Sequence, residues 1–176
     1  MTLEVSTFEQ RVTMTQALPV DWGRIYVEHA PRVYNYFRFR LGSNADVEDL
    51  TSRTFEKAWR AREKYNRNLA GFSTWLFKIA QNVAVDHLRA RRSYVPIDES
   101  LQLATATSPD VDAERSSNLA RLAALTKDLP ARDRDLLALK YGAVATNREI
   151  AKLTGLSESN VGTLLHRLVQ TLRTRW

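Results

Sequence analysis

Short polar side chains line one side of a predicted helix near the C-terminus. The opposite side carries apolar residues at three- and four-residue spacings, typical of an amphipathic helix: Val161, Leu164, Leu165, Leu168 and Leu172. At about 100° per residue, Ser159, Thr163 and His166 share the polar face, with Asn160 and Arg167 on its flank. The major groove of DNA admits a helix, and its base edges pair with such donors and acceptors. The pattern predicts either a DNA-reading face or an ordinary solvated one.

The residues before this helix favour DNA reading, because they have the spacing of a helix-turn-helix. Ala151, Gly155 and Val161 supply, in order, a small helix contact, a sharp turn and a buried branched residue. Thr146, followed three positions later by a glutamate, predicts a capping box, and Ser157 predicts the cap of the second helix. Helices that start and stop at these residues would present the polar face at the surface.

A second polar face lies on a helix predicted from Ser73 to Arg91. Its exposed side is expected to carry Lys78, Asn82, Asp86 and Arg89, and its buried side Leu76, Ile79, Ala80, Val83 and Ala84. Trp75 falls beside the exposed group. Its ring either stacks on unpaired bases, while basic neighbours attract phosphate, or packs beneath the preceding loop.

An acidic cluster opens the helix before this one. Asp46, Glu48 and Asp49 begin an amphipathic segment that reaches about Lys64 and is expected to bury Val47, Leu50, Ala58 and Trp59. Carboxylates in a first helical turn suit the helix dipole, and they also suit a basic protein partner. The cluster therefore predicts a protein-binding surface.

The elements that position these faces are all helical, because no convincing alternating strand pattern occurs. A first helix is predicted from Asp21 to Leu41, and Ser43 is expected to cap the second. After the third helix the periodicity fails where Pro, Ser, Thr and Asp accumulate, which indicates a linker. Beyond it, a helix over Ala131 to Tyr141, ended by Gly142, precedes the helix-turn-helix. The fold class is thus all-α, with two small helical domains joined by a flexible linker.

Charge follows the same division. The chain of 176 residues has 26 Lys and Arg against 20 Asp and Glu. Residues 24–92 and 119–176 each contain twice as many basic as acidic residues, whereas residues 93–118 contain one basic and five acidic. Two basic blocks around an acidic spacer are expected when two modules contact nucleic acid and a linker does not.

Composition also limits the other functions. The chain has no cysteine, which excludes disulfides and thiolate metal sites and fits a cytoplasmic protein. No apolar run is long enough to span a membrane, and residues 1–20 lack the apolar core of a signal peptide, so we interpret them as a weakly ordered extension. No Gly-rich phosphate loop, metal-ligand spacing or activated nucleophile occurs, so we expect neither an enzyme nor a cofactor.

Three stretches together resemble a known family. "DVEDLTSRTFEKAW" (Asp46 to Trp59) and "FSTWLFKIAQNVAVDHLRARR" (Phe72 to Arg92) look like region 2 of the extracytoplasmic-function (ECF, group 4) sigma factors of the sigma-70 family. "LPARDRDLLALKYGAVATNREIAKLTGLSESNVGTLLHRL" (Leu129 to Leu168) looks like their region 4. The resemblance implies an N-terminal extension over 1–20, region 2 over 21–92, a linker over 93–115 and region 4 over 116–176.

The resemblance also implies partners and residue roles. Region 2 would bind the beta and beta-prime subunits of core RNA polymerase through Asp46, Glu48, Asp49, Arg53 and Glu56. It would hold the melted minus-10 strand of promoter DNA through Tyr65, Asn66, Arg67, Trp75, Lys78, Asn82, Asp86 and Arg89. Region 4 would read the minus-35 duplex through Arg148, Ser157, Glu158, Ser159, Asn160, Gly162, Thr163, His166 and Arg167. An anti-sigma factor is a further partner that the family implies.

The rival hypothesis is a helix-turn-helix transcriptional regulator that binds DNA without replacing a sigma factor. This hypothesis explains the polar face of the predicted helix near the C-terminus. It leaves the whole stretch from Asp46 to Arg92 without a role, so the resemblance favours an alternative sigma factor that directs promoter recognition, melting and initiation.

Overall fold

The computed structural model describes residues 21–42, 46–94, 121–122 and 124–176. The expected extension over 1–20, the expected cap at Ser43 and the linker beyond residue 94 lie outside the described residues. Throughout the described part, the regular secondary structure is helical and no strand occurs. The all-α fold class is therefore confirmed.

Three helices make up the first half. They are α1 (Trp22–Leu41), α2 (Asp46–Arg60) and α3 (Phe72–Tyr94), with a 3₁₀ turn over Arg62–Lys64 after α2. The carboxylate of Asp21 caps α1 by accepting from the backbone N of Arg24 at 3.1 Å. Gly42 follows α1 with φ of +86°, a left-handed value that glycine adopts without steric cost. The predicted helices thus form with ends shifted by a few residues.

The core of the first half is built where the three helices face one another. Its fully buried side chains are Val33, Tyr36, Phe37, Val47, Leu50, Ala58, Leu76, Phe77 and Ala80. Phe77 was not among the predicted buried residues, although it is only 1% exposed. Trp59 was predicted to be buried and is 48% exposed. That prediction was wrong because Trp59 lies at the end of α2, where its ring packs edge-on against Trp22 and beneath the guanidinium of Arg62.

The second half consists of shorter helices. After a helical segment at residues 121–122 and 124–127 come α4 (Ala131–Leu137), α5 (Asn147–Thr154) and α6 (Glu158–Arg175). A π-helical turn over Ala138–Gly142 extends α4, so the helix predicted to reach Tyr141 changes its hydrogen-bond pattern after Leu137. The core of this half is formed where α4, the π-helical turn, α5 and α6 face one another. Its buried side chains include Leu136, Leu139, Ile150, Val161 and Leu165.

The two halves contact each other, which the sequence did not anticipate. α1 packs along the π-helical turn and α4, and α3 packs against α5. The buried apolar residues of both halves form one cluster. Among the described helices, none combines the length and apolarity that crossing a bilayer requires.

Candidate nucleic-acid interface

The helix-turn-helix forms as its cap residues predict. The hydroxyl of Thr146 accepts from the backbone N of Glu149 at 3.2 Å, and the Glu149 carboxylate accepts from the backbone N of Thr146 at 2.8 Å. Gly155 ends α5 in the left-handed conformation, with φ of +76°. Ser157 Oγ then accepts from the backbone N of Asn160 at 3.2 Å and so starts α6. These contacts set the angle at which α6 leaves the turn.

The polar face of α6 is open to solvent. Its exposed residues include every predicted side chain of the face: Ser159, Asn160, Thr163, His166 and Arg167. The apolar stripe faces inward, with Val161, Leu165 and Leu168 buried and Leu164 and Leu172 partly buried. The caps and the buried apolar stripe orient α6 in the same way. Its polar face therefore lies on an exposed helix of the kind that the major groove admits.

Hydrogen bonds within the motif modify some of the predicted contacts. Thr163 Oγ1 donates to the carbonyl of Ser159 at 3.1 Å, which leaves its oxygen able to accept a hydrogen bond. Arg148 Nε lies 3.5 Å from Glu158 Oε2, an exposed pair that connects α5 to α6. Gly162 is oriented toward α5, because a Cβ there would lie 3.5 Å from Asn147 Nδ2. Gly162 thus lies on the side of α6 that faces α5, where an added methyl group would make an ordinary van der Waals contact.

The polar face of α3 is also exposed as predicted. Lys78, Asn82, Asp86 and Arg89 all lie at the surface. Asp86 Oδ2 accepts from Lys57 Nζ of α2 at 3.4 Å, which ties this face to the neighbouring helix. The amide of Asn82 can both donate and accept, whereas Lys78 only donates. The face therefore combines charge with a group able to recognise an unpaired base edge.

An aromatic cluster supports the loop that precedes α3. The ring of Trp75 is partly buried, with its centroid 5.1 Å from that of Tyr65 and 5.4 Å from that of Phe72. Tyr65 and Phe72 are themselves 5.5 Å apart. Trp75 thus adopts the second of its two predicted alternatives, packing beneath the loop. This packing holds the loop beside α3.

The loop itself presents polar groups and one apolar side chain. Asn66 and Arg67 are exposed, and Asn66 Oδ1 accepts from the backbone N of Asn68 at 2.9 Å, which closes a tight turn. Leu69 is 81% exposed at the tip. Leu69 was not among the residues singled out from the sequence. A leucine between Asn68 and Ala70 in an otherwise polar loop is the sequence feature that could have identified it.

The predicted protein-binding residues of α2 fall into two groups. Glu48, Asp49, Arg53 and Glu56 are exposed. Asp49 pairs with Arg53 at 3.2 Å, and Glu56 pairs with Arg60 one turn later. The side chain of Asp46 is about half exposed and its Oδ2 lies 3.5 Å from His87 Nε2 of α3, so it faces the neighbouring helix. The exposed group forms one helix surface on the side away from the core.

No described residue group suggests a metal site. Among the described residues, no three His, Asp or Glu side chains are placed to hold a metal ion.

The buried His29 has a perturbed pKa. Burial, followed by the charge of Arg32, lowers the pKa of His29 below its ordinary value of 6.5. His29 is thus neutral at neutral pH and packs against Phe72, with ring centroids 5.4 Å apart.

Comparisons with known proteins agree with this geometry. Residues 25–94 match the family model of Sigma-70 region 2, and residues 119–172 match that of Sigma-70 region 4. The ECF RNA polymerase sigma factor BldN of Streptomyces coelicolor is 30% identical over 165 residues, which cover 92% of this chain and 62% of BldN. RNA polymerase sigma factor CarQ of Myxococcus xanthus is 30% identical over 152 residues, 85% of each chain.

A solved structure shares the fold. It is the sigma factor RpoE in complex with the anti-sigma factor NepR from Bartonella quintana, with a TM-score of 0.65 and 19% identity over 88% of this chain and 95% of RpoE. At that identity the likeness concerns the fold alone. With both regions matched in order, and with relatives such as CarQ covered over most of their length, the chain belongs to the ECF sigma factors of the sigma-70 family, the alternative sigma factors of RNA polymerase.

Proposed function

We propose that residues 21–92 bind core RNA polymerase and the melted minus-10 strand, and that residues 116–176 read the minus-35 duplex. The observation that carries this proposal is the presence of two separate exposed polar faces, on α3 and α6, each on a region that matches its own sigma-70 model. A regulator with a helix-turn-helix needs only the second face. Residues 93–115 connect the two regions, and residues 1–20 precede them.

Polymerase binding is assigned to the outer surface of α2. Its exposed carboxylates are Glu48, Asp49 and Glu56, and Arg53 lies among them. Like-signed groups on one helix face favour a partner of opposite charge, mainly through the association rate and the choice of partner. Asp46 acts with this group from its edge, since His87 holds it toward α3.

Strand capture is assigned to α3 and its loop. Pairing hides the Watson–Crick edge of a base, and an unpaired base offers that edge to Asn82. Lys78, Arg67 and Arg89 supply positive charge for the backbone, and Asn66 and Asp86 add polar contacts. Tyr65 and Trp75 pack against each other and support the loop. The part of the two rings that stays exposed offers a surface on which a base can stack.

Duplex reading is assigned to the N-terminal half of α6. Ser159, Asn160, Thr163 and His166 face the base edges, and Arg167 and Arg148 contact phosphate. The hydroxyl of Ser157 and the carboxylate of Glu158 contribute at the start of the helix. Gly162 lies on the side of α6 that faces Asn147 of α5.

The remaining parts of the proposal follow from the family. The protein acts in the cytoplasm, where polymerase is found, and it contributes binding energy rather than catalytic chemistry. An anti-sigma factor is a further partner that we propose, because RpoE, which shares the fold, was solved with one.

Co-purification with core RNA polymerase that lacks a sigma factor tests the proposal. The full chain is expected to remain with the core enzyme through gel filtration. Glu48→Lys is expected to weaken that association, whereas Glu63→Lys, at another exposed carboxylate on the 3₁₀ turn, should leave it unchanged. A chain that binds DNA but never co-elutes with core enzyme would support the regulator instead.

A further inference from the structure

A cleft with a volume of about 270 Å³ lies where α1, α3 and α4 meet. Helix α3 lines this cleft with Lys78 and Asn82, α4 lines it with Arg132 and Asp135, and α1 lines it with Arg40. Sites that hold small molecules in proteins usually begin at about 300 Å³. The cleft therefore has the size of a site for a small molecule.

One carboxylate fixes the three helices around the cleft. Asp135 is 18% exposed and accepts hydrogen bonds from Tyr36 Oη at 2.6 Å, Arg40 Nε at 3.2 Å and Gln81 Nε2 at 2.7 Å. Bonds to a charged acceptor are about twice as strong as neutral ones. Burial, followed by the negative charge of Asp135, raises the pKa of Tyr36 well above its ordinary value of 10.0, so its hydroxyl remains a donor. These bonds form the cleft without help from a ligand.

A close backbone contact fixes α1 beside the end of the π-helical turn. A Cβ at Gly142 would lie 2.7 Å from the carbonyl O of Asn35 and 3.0 Å from the Cα of Tyr36, so only glycine permits this approach. Beside it, Arg32 Nε donates to the carbonyl of Ala143 at 2.8 Å. Gly142 was predicted as a helix stop, and the structure gives it this additional role. The position of α4 against α1 thus depends on more than the Asp135 bonds.

Positive charge exceeds negative charge in the cleft. Its lining includes three cationic side chains, Arg40, Lys78 and Arg132, and one carboxylate, that of Asp135. This carboxylate is already shared among three donors. Lys78 and Arg132 are exposed, so they are accessible to a ligand. The cleft therefore attracts an anion.

Two polar atoms of the lining residues have no hydrogen-bond partner among the described residues. One is Nη1 of Arg40, whose side chain is 6% exposed, and the other is Oε1 of Gln81. A buried polar group without a partner is destabilising, more so when it is charged. An unused cationic donor and an unused acceptor beside an anion-attracting cleft favour a ligand that has both anionic oxygens and a hydrogen-bond donor.

We propose that this cleft binds a small molecule that carries a phosphate monoester group. Such a group has a charge of about −1.5 to −2 at neutral pH, which matches the excess of cationic side chains. The guanidinium of Arg132 has the fork geometry that suits phosphate oxygens, and Lys78 adds a point charge. The amides of Gln81 and Asn82 are placed to bond the hydroxyl or amino groups of the same molecule.

This site is separate from the proposed polymerase and promoter contacts at one decisive residue. Arg132 has no part in the proposed function, whereas Lys78 and Asn82 are shared with the face assigned to the minus-10 strand. A DNA backbone also offers phosphate, but each of its phosphodiesters carries a single charge. Binding experiments without polymerase or DNA therefore test the cleft alone, and their failure leaves the proposed function unchanged.

A titration with two simple phosphates tests the charge of the ligand group. Methyl phosphate and dimethyl phosphate are added to the full chain at constant ionic strength, and binding is followed by phosphorus NMR. Methyl phosphate, the monoester, is expected to bind with a saturable dissociation constant at least about tenfold below that of dimethyl phosphate. Equal binding of the two compounds would contradict a monoester site and would indicate a contact with the DNA backbone instead.

A pair of variants tests the location. Arg132→Gln removes one cationic side chain of the cleft and is expected to raise the dissociation constant of methyl phosphate about tenfold. Arg24→Gln removes an exposed arginine on α1 that does not line the cleft, so its dissociation constant should stay unchanged. Both side chains are exposed, and circular dichroism confirms that the variants fold. The same loss in both variants, or in neither, would overturn the site.

Discussion

The polar faces of α3 and α6 differ in what surrounds them. The face of α6 belongs to a short motif whose geometry is set by Thr146, Gly155 and Ser157, all within a few residues of it. The face of α3 shares a cleft with α4, whose position depends on contacts between residues about a hundred positions apart. The geometry of the α6 face is therefore set by nearby residues, whereas the surroundings of the α3 face depend on how the two halves of the chain pack together. Four pairs of substitutions can break or sharpen this comparison.

The largest effect is expected in the core that supports the α3 face. Phe77→Ala removes a ring that is 1% exposed and is expected to lower the free energy of unfolding by about 3–5 kcal/mol. Val85→Ala, on the same helix but 44% exposed, should change it by less than about 0.5 kcal/mol. Urea unfolding followed by circular dichroism measures both. Similar costs at the two positions would contradict the assignment of Phe77 to the core.

The second effect concerns the strand. Asn82→Ala is expected to cost about 1–3 kcal/mol in binding a pre-melted promoter, because a hydrogen-bonded base contact is lost. Asn160→Ala, an amide removed from the other face, should leave binding to the melted segment unchanged. Equilibrium binding of the reconstituted enzyme to the pre-melted promoter checks this pair, and permanganate footprinting on the duplex promoter, beside core-binding affinity, follows melting. Normal melting by the Asn82→Ala protein at unchanged core affinity would remove α3 from strand capture.

The third effect concerns the duplex. Asn160→Ala is expected to cost about 1–3 kcal/mol at one base pair of the upstream element, whereas Arg167→Ala should weaken all sequences alike. A panel of single-base promoter mutants separates the two patterns. Relaxed specificity at the same base pair in both variants would show that Arg167 reads bases.

The smallest effect tests the connection before the helix-turn-helix. Val144 has φ of +54°, a left-handed conformation that costs a β-branched residue about 1–2 kcal/mol. Val144→Gly is expected to raise the free energy of unfolding by about 0.5–1 kcal/mol, the remainder being lost to glycine's backbone entropy. Val27→Gly, similarly exposed but inside α1, should instead lower it by roughly 0.3–0.5 kcal/mol, the difference between the helix propensities of valine and glycine. A lower melting temperature for Val144→Gly would show that the strain is absent.

Local signals allowed much of the fold to be predicted. The capping box at Thr146 and Glu149, the cap at Ser157 and the apolar stripe of α6 all act within one or two helical turns, so spacing alone identifies them. The same holds for the exposed face of α3. Residue types at these positions determine the structure with little help from distant contacts.

Predictions failed or stayed open where distant contacts decide. Trp59 and Trp75 lie at helix ends, where the helical phase is least defined and neighbouring rings determine burial. Asp135 and Gly142 gave no sequence signal for their contacts with Tyr36 and Asn35, which lie in the other half of the chain. The two polar faces could therefore be predicted singly, but not the contacts between the two halves of the chain.

Transcription by the reconstituted enzyme tests the central claim most directly. Core RNA polymerase without a sigma factor, the purified full chain and genomic DNA of its source are combined, and the 5′ ends of the transcripts are sequenced. A sigma factor is expected to give defined start sites that appear only when the protein is present and that weaken with Glu48→Lys. Transcription that is unchanged by the protein, although it binds the same DNA, would contradict its role as a sigma factor.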